Sequence, residues 1–175
     1  MTLTEPTTIT SLFLTNISDY VLNDSAECVR HERGTIDETN VDFSQDFNLP
    51  INYALNSIND TYLHHEKLAV FSEKTSGLNK LAMYYQPGDF IGWHTNSVNV
   101  GYNLILTYSE SGESYFQTRT QTLNDPIGWS YKTNELTGAS DWHRAVALDN
   151  RITLSYLYDT QEDRDNAIEW LKNYK

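Results

Sequence analysis

From Leu81 onward the sequence breaks into short runs rich in β-branched and aromatic residues, LAMYYQ, IGWHTN, GYNLILTYS, YFQTRT, IGWSYK, DWHRAVAL and RITLSYLYD. Clusters of Gly, Asn, Asp and Pro separate them at intervals of about 8 to 12 residues, the pattern of an all-β sandwich or barrel. The predicted class is therefore mainly β, an α+β chain whose barrel of two antiparallel sheets occupies about residues 81–159. Residues 1–80 read as a supporting segment. Phe43, Phe47, Leu49 and Ile51 suit an extended stretch, while Ile51, Leu55, Ile58, Tyr62 and Leu63 recur at helical spacing and predict a helix over about 51–65. After the barrel, Asp159 or Thr160 is placed to cap a terminal helix over 160–175. Acidic residues in its first turn and Lys172 in its last complement the helix dipole, and Ile168 and Leu171 are its docking residues.

At 175 residues the chain is the size of one domain, with no repeat or linker-like tract to divide it. Twelve basic against 24 acidic residues give a net charge of -12, which removes broad attraction to phosphate backbones, so nucleic acid is not an expected partner. The acidity is read as solubility. The single cysteine, Cys28, excludes an internal disulfide and fits a reducing compartment. No stretch has the build of a signal peptide or membrane span, so the expected location is cytoplasmic, without a membrane partner.

Three features fall in order on the β half: His94 with Asn96, then His143, then Arg151 with Thr153. Residues two apart on a strand face the same way, so His94 and Asn96 can project together into a barrel lumen. A second strand bringing His143 alongside would give two imidazoles and one amide oxygen on one side of a metal, leaving positions open for small ligands. Arg151, always charged and fork-shaped, suits the far end of a dicarboxylate, and Thr153 faces the same way. Blander readings stand beside these: Asn96 as a turn former, Arg151 as a surface ion pair after the Asp149–Asn150 turn signal, and Trp93, Trp129 and Trp142 as core or pocket wall. His31, His64 and His65 read as ordinary polar residues. Along 102–108, Asn103, Ile105 and Thr107 alternate with Tyr102, Leu104, Leu106 and Tyr108; one set lines the lumen, and the sequence leaves open which.

The stretch holding Tyr85, Gly88, Phe90 and His94 resembles the approach to the first metal ligands in the iron(II)- and 2-oxoglutarate-dependent oxygenases, prolyl-hydroxylase-like branch. Gly112, Tyr115 and Phe116 resemble the turn and strand that follow. His143, 49 positions after His94, and Arg151, eight further on, sit near that family's spacing. Arg151 and Thr153 resemble its Arg-x-Ser pair. The resemblance covers under half the chain. It implies a double-stranded β-helix, a jelly-roll or cupin-like barrel, with His94, Asn96 and His143 around Fe(II). It also implies 2-oxoglutarate held by Arg151, Thr153 and Tyr85. The chain departs from the family at Asn96, where the pattern has a metal-binding Asp; Asp141, two residues before His143, is the other candidate for that carboxylate.

The activity implied is that of a dioxygenase hydroxylating a small molecule or peptide residue. The alternative is a catalytically silent barrel of the same fold, serving in binding or assembly. A cupin-like sugar-binding or isomerising protein is a third class, though such proteins gather more His and a Glu around their metal.

Overall fold

The structure is a computed structural model that describes residues 3–23, 27–34, 38–45, 52–58, 66–96, 99–138 and 141–175. Among the described residues three helices, α1 (Leu12–Leu22), α2 (Glu66–Thr75) and α3 (Gln161–Asn173), accompany eleven strands. The strands are β1 (Thr7–Thr8), β2 (Cys28–Arg33), β3 (Tyr53–Ile58), β4 (Leu78–Tyr85), β5 (Phe90–His94) and β6 (Val100–Ser109), followed by β7 (Tyr115–Thr118), β8 (Thr122–Asn124), β9 (Gly128–Thr137), β10 (His143–Val146) and β11 (Arg151–Tyr158).

The eight strands β4 to β11 pair in the orders β9-β6-β11-β4 and β5-β10-β7-β8, all antiparallel. Apart from the β7–β8 hairpin, consecutive strands alternate between these two four-stranded faces, which is the winding of a double-stranded β-helix. The fold class read from the sequence thus holds. One addition is that the faces are not separate sheets. The middle of β3 pairs with β4 (Asn56 opposite Tyr84) and its start with β5 (Ala54 opposite Phe90), so β3 carries hydrogen bonding across the corner between them. β2 lines the other edge of β3, and β1 extends the outer edge of β9.

This overturns the helix expected over 51–65: residues 53–58 are strand β3, and 51 and 59–65 lie outside the described residues. Helical spacing in a short run of Tyr, Leu and Ile is ambiguous, and here ladders on both edges of the segment decide for strand. Of the proposed extended stretch, Phe43 instead occupies a turn, packed edge-on against Trp93 and Trp142; Phe47, Leu49 and Ile51 are not described. The terminal helix is as expected, with Thr160 Oγ1 accepting from the Asp163 amide at 3.1 Å and Ile168 and Leu171 buried.

Strand alternation then settles what faces the lumen. Leu104 and Leu106 of β6 and Ile152, Leu154, Tyr156 and Tyr158 of β11 point outward into the main core. There they meet Phe13, Leu14 and Ile17 of α1, Phe71 of α2 and Leu171 of α3. The opposite set, Asn103 and Ile105 on β6 and Arg151, Thr153, Ser155 and Leu157 on β11, lines a cavity between the two faces. The helices therefore cover the apolar side of the larger face, and the polar side is turned inward.

Asp149 fastens the corner from which β11 starts. Its carboxylate accepts from the hydroxyls of Ser109 (2.6 Å), Ser111 (2.9 Å) and Ser114 and from the amides of Ser111 (2.6 Å) and Gly112 (3.1 Å). Burial alone would raise its pKa, but these donors hold it at about 2, below its ordinary 3.8. A depressed acid contributes stability that is complete above its unfolded pKa and is lost as pH falls from about 4 through about 2. Asp149→Asn is expected to cost roughly 2 kcal/mol at pH 7 and to flatten the acid limb of a denaturation series across that window. Denaturant melts at pH 2 to 7 check this, and a variant with the wild-type midpoint at neutral pH would refute it.

Candidate active site

β5 and β10 run side by side, and their register places His94 opposite His143 at the end of the smaller face away from the corner. The rings lie 4.2 Å apart between centroids. Both are buried, at 8% and 4% exposure, and Phe116 stacks on His143 at 5.3 Å. In each ring Nδ1 meets a main-chain carbonyl: Gly92 O at 2.8 Å for His94 and Asp141 O at 2.9 Å for His143. A carbonyl oxygen only accepts, so each Nδ1 carries the proton and each Nε2 is left with its lone pair. Burial pushes both imidazoles below their ordinary pKa, His143 to about 3 with the neighbouring His94 adding to the effect, so both rings are neutral at pH 7.

Asn96 follows β5 and brings its Nδ2 to 3.1 Å from His143 Nε2. The amide thus donates to the same lone pair that a metal would use, and a half-turn about its last torsion exchanges its nitrogen for its oxygen. Asp141 offers His143 its main-chain oxygen, and among the described residues no third His, Cys, Asp or Glu joins the histidines in a metal-holding group.

Gly92 makes the His94 geometry possible. Its amide donates to Asn52 O at 2.7 Å, and a Cβ in its place would meet the Glu38 carboxylate and lie 2.6 Å from that same carbonyl. Glu38 clamps the strand, accepting from Asn52 Nδ2 at 2.8 Å and from the Trp93 amide at 3.3 Å.

Arg151 opens β11 opposite Tyr85, at the corner end of the cavity. It is 1% exposed, so the surface ion pair considered for it does not exist. Its Nε donates to Asp125 Oδ2 at 2.8 Å, its Nη1 to Thr153 Oγ1 at 2.5 Å, and its guanidinium carbon lies 5.1 Å from the Tyr85 ring centre. Asp125 also binds Lys132 Nζ. Burial would raise the Asp125 pKa, but the two cations outweigh it and hold the carboxyl below its ordinary value.

Tyr85, His94, Asn96, His143, Arg151 and Thr153 all line one cavity of about 200 Å³. Asn103, Lys80 and Ser155 share it, whereas Trp93, Trp129 and Trp142 belong to buried core clusters and do not border it. Three or four residues separate the histidines from the corner along β5 and β10, about 10 Å at the strand rise, so the imidazoles and Arg151 stand at opposite ends. Sequence reasoning missed Asp125 and Lys132. The signal for Lys132 was the alternation of Ser130, Lys132 and Asn134 with Trp129, Tyr131 and Thr133; Asp125, beside Pro126, read only as a turn.

No family model matches the chain, and no curated protein matches it. Among solved structures it is similar to a predicted oxalate decarboxylase from Thermotoga maritima, at 13% identity and a TM-score of 0.38, over 77% of this chain and 94% of that one.

The hydrogen bonding fixes one tautomer. Long-range proton–nitrogen correlation spectra of the metal-free protein at pH 7 should show both His94 and His143 protonated at Nδ1. An Nε2-protonated signal from either ring would mean that its lone pair does not face the cavity.

Proposed function

We propose that this chain is an iron(II)- and 2-oxoglutarate-dependent oxygenase. His94 and His143 would hold the metal through Nε2, Asn96 would be a weak third ligand through its amide oxygen, and Arg151, Thr153 and Tyr85 would hold the remote carboxylate of 2-oxoglutarate. One observation carries this reading. Two buried imidazoles, each fixed by a main-chain carbonyl so that Nε2 is unprotonated, share a small cavity with a buried arginine at its other end. Neutral imidazole suits iron(II), and the carbonyls fix ring orientation from behind, as outer partners of metal-binding histidines do.

When bound, iron(II) and 2-oxoglutarate supply the oxidising chemistry: dioxygen hydroxylates a substrate C–H bond while 2-oxoglutarate becomes succinate and carbon dioxide. The protein contributes position and shelter. Asp125 and Thr153 brace the Arg151 guanidinium against rotation, so its fork meets a carboxylate already aligned. Ile91, Ile105, Phe116 and Ala145 form apolar wall between the two ends and limit water there. About 200 Å³ is smaller than the ~300 to 1,000 Å³ of sites for drug-sized molecules, so the cavity suits one short dicarboxylate. The molecule to be oxidised then approaches from the open side, where Lys80, Asn99, Leu136 and Leu157 border the cavity.

The silent-barrel reading has its own supporting observation. With Asn96 donating to His143 Nε2, the lone pair of one of the two imidazoles is engaged without a metal. Metal titration separates the two. Under the oxygenase reading iron(II) binds weakly alone and more tightly with 2-oxoglutarate, whose charge replaces the missing carboxylate. Asn96→Asp raises affinity in its absence, and His94→Ala abolishes binding. Absence of iron(II) binding with and without 2-oxoglutarate hands the site to the silent reading.

Arg151→Ala should weaken 2-oxoglutarate binding by about 100-fold, the effect of truncating one partner of a buried charge pair, and Arg151→Lys should recover only part. Titration calorimetry measures both. Equal affinity in wild type and Arg151→Ala would remove Arg151 as the anchor.

A further inference from the structure

We infer that Lys132 and Asp125 are positioning residues that set the charge of the Arg151 end of the cavity at +1, making it a seat for a single carboxylate. This deepens the reading of Arg151 as an anion anchor and rests on it. Lys132 and Asp125 side chains are 0% exposed and that of Arg151 is 1%. One carboxylate therefore stands between two buried cations, its Oδ2 on Arg151 Nε and its Oδ1 on Lys132 Nζ.

Without Lys132 the remaining pair would be neutral. Asp125 would cancel the charge of the arginine it orients, and the guanidinium would offer the cavity geometry without net attraction. Lys132 offsets Asp125, so Asp125 can hold Nε in place while the Nη edge beside Thr153 keeps its pull on an anion. Lys132 does not border the cavity itself; among the described residues its ammonium meets Asp125, which holds Arg151, and Thr107 Oγ1, at 3.5 Å. A buried ammonium is costly to desolvate and contributes little to packing that an apolar chain of similar length would not. Asp149, also near Arg151, is saturated by the serine and glycine donors of the corner and acts on the guanidinium more weakly than Asp125. A net charge of +1 matches one carboxylate and leaves a phosphate dianion undercompensated.

The test compares wild type, Lys132→Met and the double variant Asp125→Asn/Lys132→Met. Each is titrated with propionate, which carries one carboxylate, and with 2-oxoglutarate. In Lys132→Met both ligands should bind at least about tenfold more weakly, the size of losing one unit charge several ångströms away at an intermediate effective dielectric. The double variant restores +1, because the neutral amide oxygen that Asp125→Asn introduces still accepts from Arg151 Nε without cancelling its charge, and binding should return to within about threefold of wild type. Iron(II) affinity measured without 2-oxoglutarate should be the same in all three, which a general loss of structure would not allow.

Lys132→Met binding as wild type does, or a double variant as weak as the single one, would overturn the inference and leave the proposed function standing. Propionate binding that follows the charge pattern, without 2-oxoglutarate binding, would support the one-carboxylate seat and overturn the oxygenase reading. A wild type that binds neither ligand overturns both.

Discussion

The structure depends on which side of the larger strand face is apolar. Along β6 and β11 the outward residues include Leu104, Leu106, Ile152, Leu154, Tyr156 and Tyr158, all at 0% or 1% exposure under the three helices. Burying a large apolar side chain is worth about 1.5–3 kcal/mol, so this layer dominates the driving force and fixes the register of both strands. A slip of one residue would turn Arg151, Thr153 and Ser155 into the helix interface and leucines into the lumen. The polar lining of the cavity is held in place by what lies on the other side of the same strands.

Polar groups inside such a lumen need partners, and neighbouring strands supply most of them, Asn134 Nδ2 being buried without one. Ser155 Oγ donates to Asn103 Oδ1 at 2.8 Å, and Asn103 Nδ2 to Asn134 Oδ1 at 3.2 Å, a chain running across three adjacent strands. The corner is closed by Asp149 and its serines, and the arginine end by Asp125. These networks connect the turns β6–β7, β8–β9 and β10–β11, so the loops on the corner side are tied to one another through carboxylates. Seen from the site, Arg151 projects from the most thoroughly bonded edge of the barrel, while the histidines stand at the other.

Much of this was legible in the sequence because it rests on short-range rules. Period-two alternation and turn residues announced the strands of 81–159, and the order His94, His143, Arg151 announced three residues that do share a cavity. The face lining the lumen was not legible, since polar and apolar sets alternate equally well whichever is turned inward; the docking of the three helices decides it. β3 was missed because a six-residue strand whose partners lie in other elements leaves no local signature distinct from one helical turn or two. Lys132 and Asp125 were missed because their pairing arises where the β8–β9 turn meets β9 and β11: Asp125 read as a turn residue, and Lys132 alone looks like an ordinary surface charge.

Gly92 joins two demands in one residue. Its amide and its missing side chain let β5 pass beneath Asn52 and Glu38, and its carbonyl holds the His94 ring from behind. The strand's fit against its neighbours and the aim of an imidazole are thus mechanically one variable. A displacement of a few tenths of an ångström at the crossing is carried through a rigid five-atom ring to Nε2 as a change of direction. The precision of the His94 lone pair is set behind the ring, by a point in the backbone where there is no room for a methyl group.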